Sequence, residues 1–423
     1  MRTFVTQFQP LLTRLRTHTA TDSVGIAQAV KPARIQFIDV LRAFAILMML
    51  QGHFVDTTLA EQFRNPDHPV YSAWYFMRGL TAPIFFTTTG LVFVFLLLKD
   101  GRPLGENVRV RKGIRRGFML LFWGYFLKIN LFAVLSGRLY GWYFTVDVLH
   151  CIGIALLILI GVFALSRKIR MPFWILLSLL SFFAFFIDPT FKAADWSALP
   201  QPIANLFTLD YGSVFTPVPW VGYTLFGGLM GYVLHVRPKL AFTHLFPLAL
   251  LVTGYLVSHY SSMALIKLHQ LSGWENFKSL AYNNGLFWRL GHVFIVQGIF
   301  MWGIARLRVV PMIWTKVGSE TLTIYCVHYV LLFGTWFGLG IAGLWARSLS
   351  PWVCALGAAS FVAAFVVLIA YIEPIREWLY RTLPDWAHYR WRVARVVVLR
   401  WVSRRLHARQ RLKTLSLVRS FLF

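Results

Sequence analysis

The sequence is poor in charge, and acidic charge is the scarcest. Asp and Glu number 16 in 423 residues, against 42 Lys and Arg, and charged residues make up 14% of the chain. Soluble domains carry about 25% charged residues, whereas 57% of this chain is hydrophobic. The composition excludes an ordinary soluble domain and predicts a polytopic membrane protein.

Cysteine is also scarce. The three cysteines, Cys151, Cys326 and Cys354, all lie in apolar runs. They imply no disulfide framework and say nothing about the cellular compartment, so we interpret them as small packing residues. We predict no metal site.

Apolar runs long enough to cross hydrocarbon, roughly 17 to 25 residues each, occur about ten times, which predicts an all-α fold of about ten transmembrane helices. The predicted spans lie near Phe37–Thr57, Tyr71–Leu98, Gly117–Val134, Val146–Leu165, Pro172–Ile187, Trp220–Val236, Leu240–Ser258, Leu286–Ala305, Val317–Leu339 and Trp352–Tyr371.

The basic residues are distributed unevenly between the segments that connect the spans. If the N-terminus is cytoplasmic, most of the 42 Lys and Arg fall on the cytoplasmic side, as the positive-inside rule requires. This places both termini in the cytoplasm. It also explains most of the net charge of +26 without a nucleic-acid partner, which we therefore do not expect.

The chain divides into one membrane domain and two terminal segments. We predict a cytoplasmic tail over residues 1–33, a transmembrane domain over 34–373 and a basic amphipathic segment over 374–423. In the last of these, Arg alternates with Trp, Val and Leu between Arg376 and about Lys413, as in "RWRVARVVVLRWVSRRL". Such a pattern is typical of a helix that lies on the inner leaflet in contact with lipid.

The first span carries a polar stripe in the stretch "LRAFAILMMLQGHF". At 100° per residue, Arg42 and His53 lie within about 20° of each other and about 16 Å apart along the axis. Asp39 and Asp56 fall within about 60° of Arg42, which predicts two local pairs, Asp39 with Arg42 and His53 with Asp56.

Snorkelling into the inner headgroup region would explain Asp39 and Arg42. It does not explain His53, which lies about two-thirds of the way along the span. His53 is either a general base oriented by Asp56, or a buried histidine that only hydrogen-bonds across the bundle. Asp56 is alternatively only a helix-end residue.

A second polar stripe lies in a late span, where Thr321, Tyr325 and His328 fall within about 60° of one another. Polar side chains at this depth usually face the interior of the bundle. If this stripe faces anything polar, we expect it to face the interior of the bundle.

Four other polar segments allow two interpretations each. Asp147 and His150 are spaced to pair, but a solvated interface position is the default. The run Thr87–Thr89 is expected to bond back to helical carbonyls, or to line a substrate passage. Two long outer loops, 188–219 and 259–284, are candidates for an acceptor-binding surface, or only anchor aromatic side chains at the interface.

The segments "RIQFIDVLRAFAILMMLQGH" from Arg34 and "RGLTAPIFFTTTGLVFVF" from Arg78 resemble the transmembrane acyltransferase superfamily. Within it, the chain is most similar to the bacterial relatives of heparan-alpha-glucosaminide N-acetyltransferase. The spacing of Arg42 and His53, with ten residues between them, also matches the first-helix motif of the acyltransferase-3 family. The histidine of that motif is taken as catalytic. The segments "VDVLHCIGIAL" from Val146 and "SETLTIYCVHYVLLF" from Ser319 extend the resemblance.

One departure from the family pattern concerns the histidine. Lysosomal enzymes of the heparan type have asparagine at the position that matches His53 and a histidine further on. This chain has Arg64 at that later position, and His68 is out of register. The departure favours His53 over His68 as the catalytic histidine.

The resemblance implies a membrane acyltransferase in the bacterial inner membrane that uses an acyl-CoA, most simply acetyl-CoA, as donor. The acceptor is expected to be an extracytoplasmic glycan or lipid-linked molecule, and a homo-oligomer is left open. His53 then serves as base or nucleophile, with Asp56 and His328 as further catalytic candidates. The expected donor-binding residues are Arg42, Tyr325, Arg109, Arg111, Arg115 and Arg116.

Two other functions fit part of the pattern. Intramembrane Arg, His and Asp also occur in transporters and flippases for acidic or lipid-linked substrates, although no inverted repeat or paired broken helix favours that class. A scaffold that recruits partners through its basic C-terminal helix would leave the first-span stripe unexplained.

Overall fold

A computed structural model describes residues 36–307 and 310–382, so the predicted 1–33 tail and the predicted C-terminal segment beyond Thr382 lie outside the described residues. The described residues form α-helices without a β-strand. The helices are α1 Gln36–Thr58, α2 Pro69–Lys99, α3 Val108–Phe126, α4 Leu131–Leu135, α5 Val148–Lys168, α6 Phe173–Phe186, α7 Asp188–Ala193, α8 Gln201–Ala204, α9 Pro217–Val236, α10 Leu245–Ser272, α11 Glu275–Tyr282, α12 Gly285–Arg306, α13 Met312–Ser319, α14 Thr321–Phe333, α15 Ile341–Trp345, α16 Pro351–Ala370 and α17 Ile372–Thr382.

Seven helical stretches in the described part of the chain are long and apolar enough to cross a membrane. They fall on α1, α2, α5, α6, α10, α12 and α16. The all-α membrane architecture is therefore confirmed. The number of ten spans stays a prediction, because the remaining three predicted spans fall on α3, on α9 and on α13 with α14, which are not among the seven.

Helix α1 lies at the centre of the fold. It packs against α2, α12, α13, α14 and α16, and Leu41, Ala43 and Leu50 are fully buried on it. At Gly318 of α13, a Cβ atom would overlap the backbone carbonyl of Asp39, so the two helices approach closely there. The polar stripe of the first helix is thus enclosed by other helices.

Helices α2 and α9 cross in backbone contact. A Cβ atom at Gly90 would overlap the carbonyl oxygen of Thr224, and one at Gly227 would overlap that of Thr87. Small residues permit this approach, which is a common way of packing helices in membranes. The crossing fixes α2 against α9 on one side, while its other side faces α1.

Two predicted boundaries were wrong. Helix α3 begins at Val108, nine residues before the predicted span, because the Asn107 side chain accepts hydrogen bonds from the amides of Arg109 and Val110 and caps the helix. Helix α10 continues to Ser272 and ends at Gly273, whose φ of 72° terminates it. The predicted 259–284 loop is therefore largely helical.

The late span is divided. Helix α13 ends at Ser319, Glu320 has φ −97° and ψ 23°, and α14 begins at Thr321. Helix α14 ends at Gly334, which has a positive φ of 67°. The division at Glu320 separates the α13 contact with Asp39 from the α14 stripe, so His328 lies on a helix of 13 residues.

Candidate active site

The two histidines proposed from separate helices lie in direct contact. The Nδ1 atom of His53 is 3.0 Å from the Nε2 atom of His328, across 275 residues of sequence. His328 is fully buried and His53 half-buried. The structure thereby brings together two residues that the sequence allowed as rival bases.

Hydrogen-bonding partners determine how protons are arranged in this pair. The Nδ1 atom of His328 lies 3.3 Å from the carbonyl oxygen of Ile324, which only accepts, so we assign the hydrogen of this imidazole to Nδ1. In two neutral imidazoles, Nε2 of His328 then accepts the hydrogen bond that Nδ1 of His53 donates. The lone pair of His53 is left on Nε2, which is the state that a general base needs.

Two tyrosines surround the buried histidine. The rings of Tyr325 and Tyr329 have their centroids 5.0 Å and 5.2 Å from that of His328. The Tyr329 hydroxyl donates to the Asp147 carboxylate at 3.3 Å. The late-span stripe faces α1, since the Thr321 hydroxyl accepts a hydrogen bond from Arg42 at 3.1 Å.

Asp147 joins three helical segments at the outer end of α5. Its carboxylate lies 3.0 Å from Nδ1 of His150 and 3.6 Å from Nζ of Lys128, besides its bond to Tyr329. Asp147 and His150 are both buried. The default expectation of a solvated interface position was therefore wrong, because a capping box and a cation enclose the carboxylate.

The expected pairing of His53 with Asp56 is not what the structure shows. Among the described residues, the Asp56 carboxylate forms its ion pair and hydrogen bond with Arg78 of α2. Arg64 donates to the backbone carbonyls of Asp56 and Leu59 at 2.6 Å and 3.0 Å, so it caps the end of α1. The Asp56 carboxylate pairs with Arg78 because a guanidinium cation attracts a carboxylate more strongly than a neutral imidazole does.

His68 lies at the start of α2, fifteen residues after His53 in the sequence. It is exposed and occupies the position before the first residue of α2. This placement agrees with the preference for His53.

The basic cluster lies along the first half of α3. Arg111, Arg115 and Arg116 are exposed and Arg109 is half-buried. In the preceding loop, the hydrogen bond from Arg102 holds the pKa of the Asp100 carboxyl below its usual range. The cluster presents cations on a helix surface, which suits phosphate groups as well as anionic lipid.

Sequence reasoning missed Arg78, Tyr329 and Lys128. Arg78 opens a quoted motif, and its charge between apolar residues was a usable signal. Tyr329 and Lys128 gave no such signal, because single polar residues near span ends are common. In the described part of the chain, no group of three His, Cys, Asp or Glu residues could hold a metal ion.

Comparison with known proteins identifies the family. Residues 34–270 match the family model of the catalytic region of heparan-alpha-glucosaminide N-acetyltransferase. The match covers more than half of the chain and includes α1, α2, Lys128 and Asp147, whereas His328 and Tyr329 lie beyond it. No curated protein matches the chain. The chain belongs to the family of the heparan-alpha-glucosaminide N-acetyltransferase catalytic region.

Proposed function

We propose that this protein is a membrane acetyltransferase that transfers the acetyl group of cytoplasmic acetyl-CoA to a hydroxyl or amine of an extracytoplasmic glycan or lipid-linked acceptor. The observation that supports it best is the His53–His328 pair, placed in the centre of a fold from an acetyltransferase family. We assign the protein to the inner membrane of a bacterium, with both termini in the cytoplasm.

His53 is the general base in this proposal. Its Nε2 atom takes the proton of the acceptor hydroxyl or amine as the acceptor oxygen or nitrogen bonds to the acetyl carbonyl carbon. The carbon–sulfur bond then breaks, and the CoA thiolate receives the proton from His53, so that free CoA leaves as the thiol. His328 keeps the hydrogen of His53 on Nδ1 and thereby keeps Nε2 available.

Arg42 binds the donor at the inner end of the same stripe. It lies about 16 Å along α1 from His53, a distance comparable to the reach of a pantetheine arm. Its guanidinium is held by Thr321, so it is positioned before the donor arrives. One or two arginines of the α3 cluster contact the nucleotide phosphates, while the others follow the positive-inside rule.

Asp56 binds Arg78 of α2 and does not orient His53. Its ion pair with Arg78 holds the outer ends of α1 and α2 together beside His53. We therefore assign it a positioning role.

Binding and transfer are tested separately. Isothermal calorimetry of the detergent-purified protein with acetyl-CoA and dephospho-CoA measures donor recognition, and we expect saturable binding that is weaker for dephospho-CoA. Absence of saturable binding at low salt would refute the enzyme assignment and leave a transporter or flippase as the better description.

Transfer is measured with radiolabelled acetyl-CoA and a glucosamine-terminated oligosaccharide or a membrane glycolipid extract. The His53→Ala variant should bind acetyl-CoA like the wild type but transfer no label. Exchange of labelled CoA into acetyl-CoA without acceptor distinguishes the two routes: exchange indicates an acetyl-histidine intermediate, and its absence indicates direct transfer.

A further inference from the structure

Helix α2 carries two buried hydroxyls that have no hydrogen-bond partner among the described residues. Thr81 is 9% exposed and Thr88 is 1% exposed, and both Oγ1 atoms are unpaired. The neighbouring Thr87 differs, because its hydroxyl donates to the carbonyl oxygen of Pro83 at 2.6 Å. A hydroxyl in an apolar interior normally bonds back in this way.

The two unpaired hydroxyls share one face of α2. Seven residues bring a helix round to within about 20°, so Thr88 lies almost directly inward of Thr81. Phe85, between them on the same face, packs against the cluster that contains Met49 and Tyr325. Arg78 lies within about 20° of Phe85 and binds Asp56 of α1. This face of α2 is therefore turned toward the polar stripe of α1.

The contact between Arg78 and Asp56 also fixes the level of each hydroxyl along the antiparallel α1. Thr81 lies about 4.5 Å inward of Arg78 and Thr88 about 15 Å inward. On α1, His53 lies about 4.5 Å inward of Asp56, and Arg42 about 21 Å inward. On this scale Thr81 lies level with His53, and Thr88 lies between the levels of His53 and Arg42.

We infer that Thr81 and Thr88 bind the pantetheine arm of the acyl-CoA donor between Arg42 and His53. This inference rests on the proposed function. The arm carries two amides and a hydroxyl, which need hydrogen-bond partners inside a membrane protein, and its length matches the stretch between the two residues. Thr81 bonds to the thioester end of the arm and Thr88 to the end near the phosphates.

The matching variants remove one hydroxyl each and keep the shape of the side chain. Thr81→Val and Thr88→Val should each weaken acetyl-CoA binding about five- to tenfold, the value of a lost net hydrogen bond. Neither should change the affinity for adenosine 3′,5′-bisphosphate, which lacks the arm. Each should also raise the melting temperature of the ligand-free protein by about 1–3 °C, because an unpaired buried hydroxyl is removed.

Two other threonines serve as controls. Thr87→Val removes a hydroxyl that is already paired and should leave donor binding unchanged. Thr224→Val removes another fully buried, unpaired hydroxyl, but on α9 at the crossing with Gly90. It should raise the melting temperature without affecting donor binding.

Calorimetry and thermal denaturation of these variants decide the question. Thr88→Ser, which keeps the hydroxyl, should bind acetyl-CoA like the wild type. If the wild type binds acetyl-CoA and Thr81→Val and Thr88→Val bind it equally well, the threonine assignment is wrong and the proposed function stands. If the wild type itself binds neither acetyl-CoA nor the bisphosphate, the proposed function fails, and the assignment fails with it.

Discussion

Removing His328 tests how the histidine pair works. In His328→Ala, the Nδ1–H of His53 loses the acceptor that lies 3.0 Å away. A polar group left unpaired in a protein interior costs about 1–3 kcal/mol. Without the acceptor, His53 no longer favours the tautomer that has its lone pair on Nε2. Reaching this reactive tautomer therefore costs the additional free energy. At 1.4 kcal/mol per tenfold, we expect kcat to fall about 5- to 150-fold.

A glutamine at the same position refines the test. The carboxamide oxygen of His328→Gln can accept from His53, so this variant should recover most of the lost rate. His53→Ala should lose more than either, about 10² to 10⁴ in rate, because it removes the proposed base itself. None of the three should change the affinity for acetyl-CoA.

The assay is the initial rate of acetyl transfer in proteoliposomes at saturating acetyl-CoA, with calorimetry as the control for binding. An unchanged kcat in His328→Ala would show that His53 does not depend on its partner for its tautomer. A larger loss in His328→Ala than in His53→Ala would reverse the roles and make His328 the base.

The other predictions concern the two ends of the site. Arg42→Gln should weaken acetyl-CoA binding about tenfold in calorimetry with kcat unchanged, because a charge-assisted contact is lost at the donor end only. Asp56→Asn breaks an ion pair with Arg78 that is partly exposed, so thermal denaturation should register a loss of about 1 kcal/mol or less, with transfer reduced only severalfold. Asp147→Asn leaves Lys128 buried without a counter-ion, and size-exclusion chromatography should show a large loss of folded protein, consistent with a cost of about 3–5 kcal/mol.

Helical periodicity predicted the features that depend on one helix at a time. The spacing of Arg42 and His53, and that of Thr321 and His328, placed each pair on one face, and both faces do meet in the interior. Hydropathy likewise predicted the helical membrane fold. These inferences succeed because 3.6 residues per turn is a local property of the chain.

Partners that come from different helices could not be predicted in this way. Periodicity suggested Asp56 as the partner of His53 because three residues separate them, but it carried no information about Arg78, which approaches from α2. The same limitation applies to Asp147, whose burial depends on Lys128 and Tyr329 from two other elements. A local pair forms only when no stronger partner is available across the bundle.

The histidine pair has a consequence for inference within the family. The matched region ends at residue 270, whereas His328 lies 58 residues beyond it. In the proposed mechanism, the base His53 lies inside the matched region. His328, which keeps the hydrogen of His53 on Nδ1, lies outside it. A relative that keeps the Arg42 and His53 positions and lacks an acceptor at the position of His328 would retain the donor site and lose the orientation of its base. In the proposed mechanism, the late helix, and not the first helix alone, therefore decides whether a member of this family can use its first-helix histidine as a base.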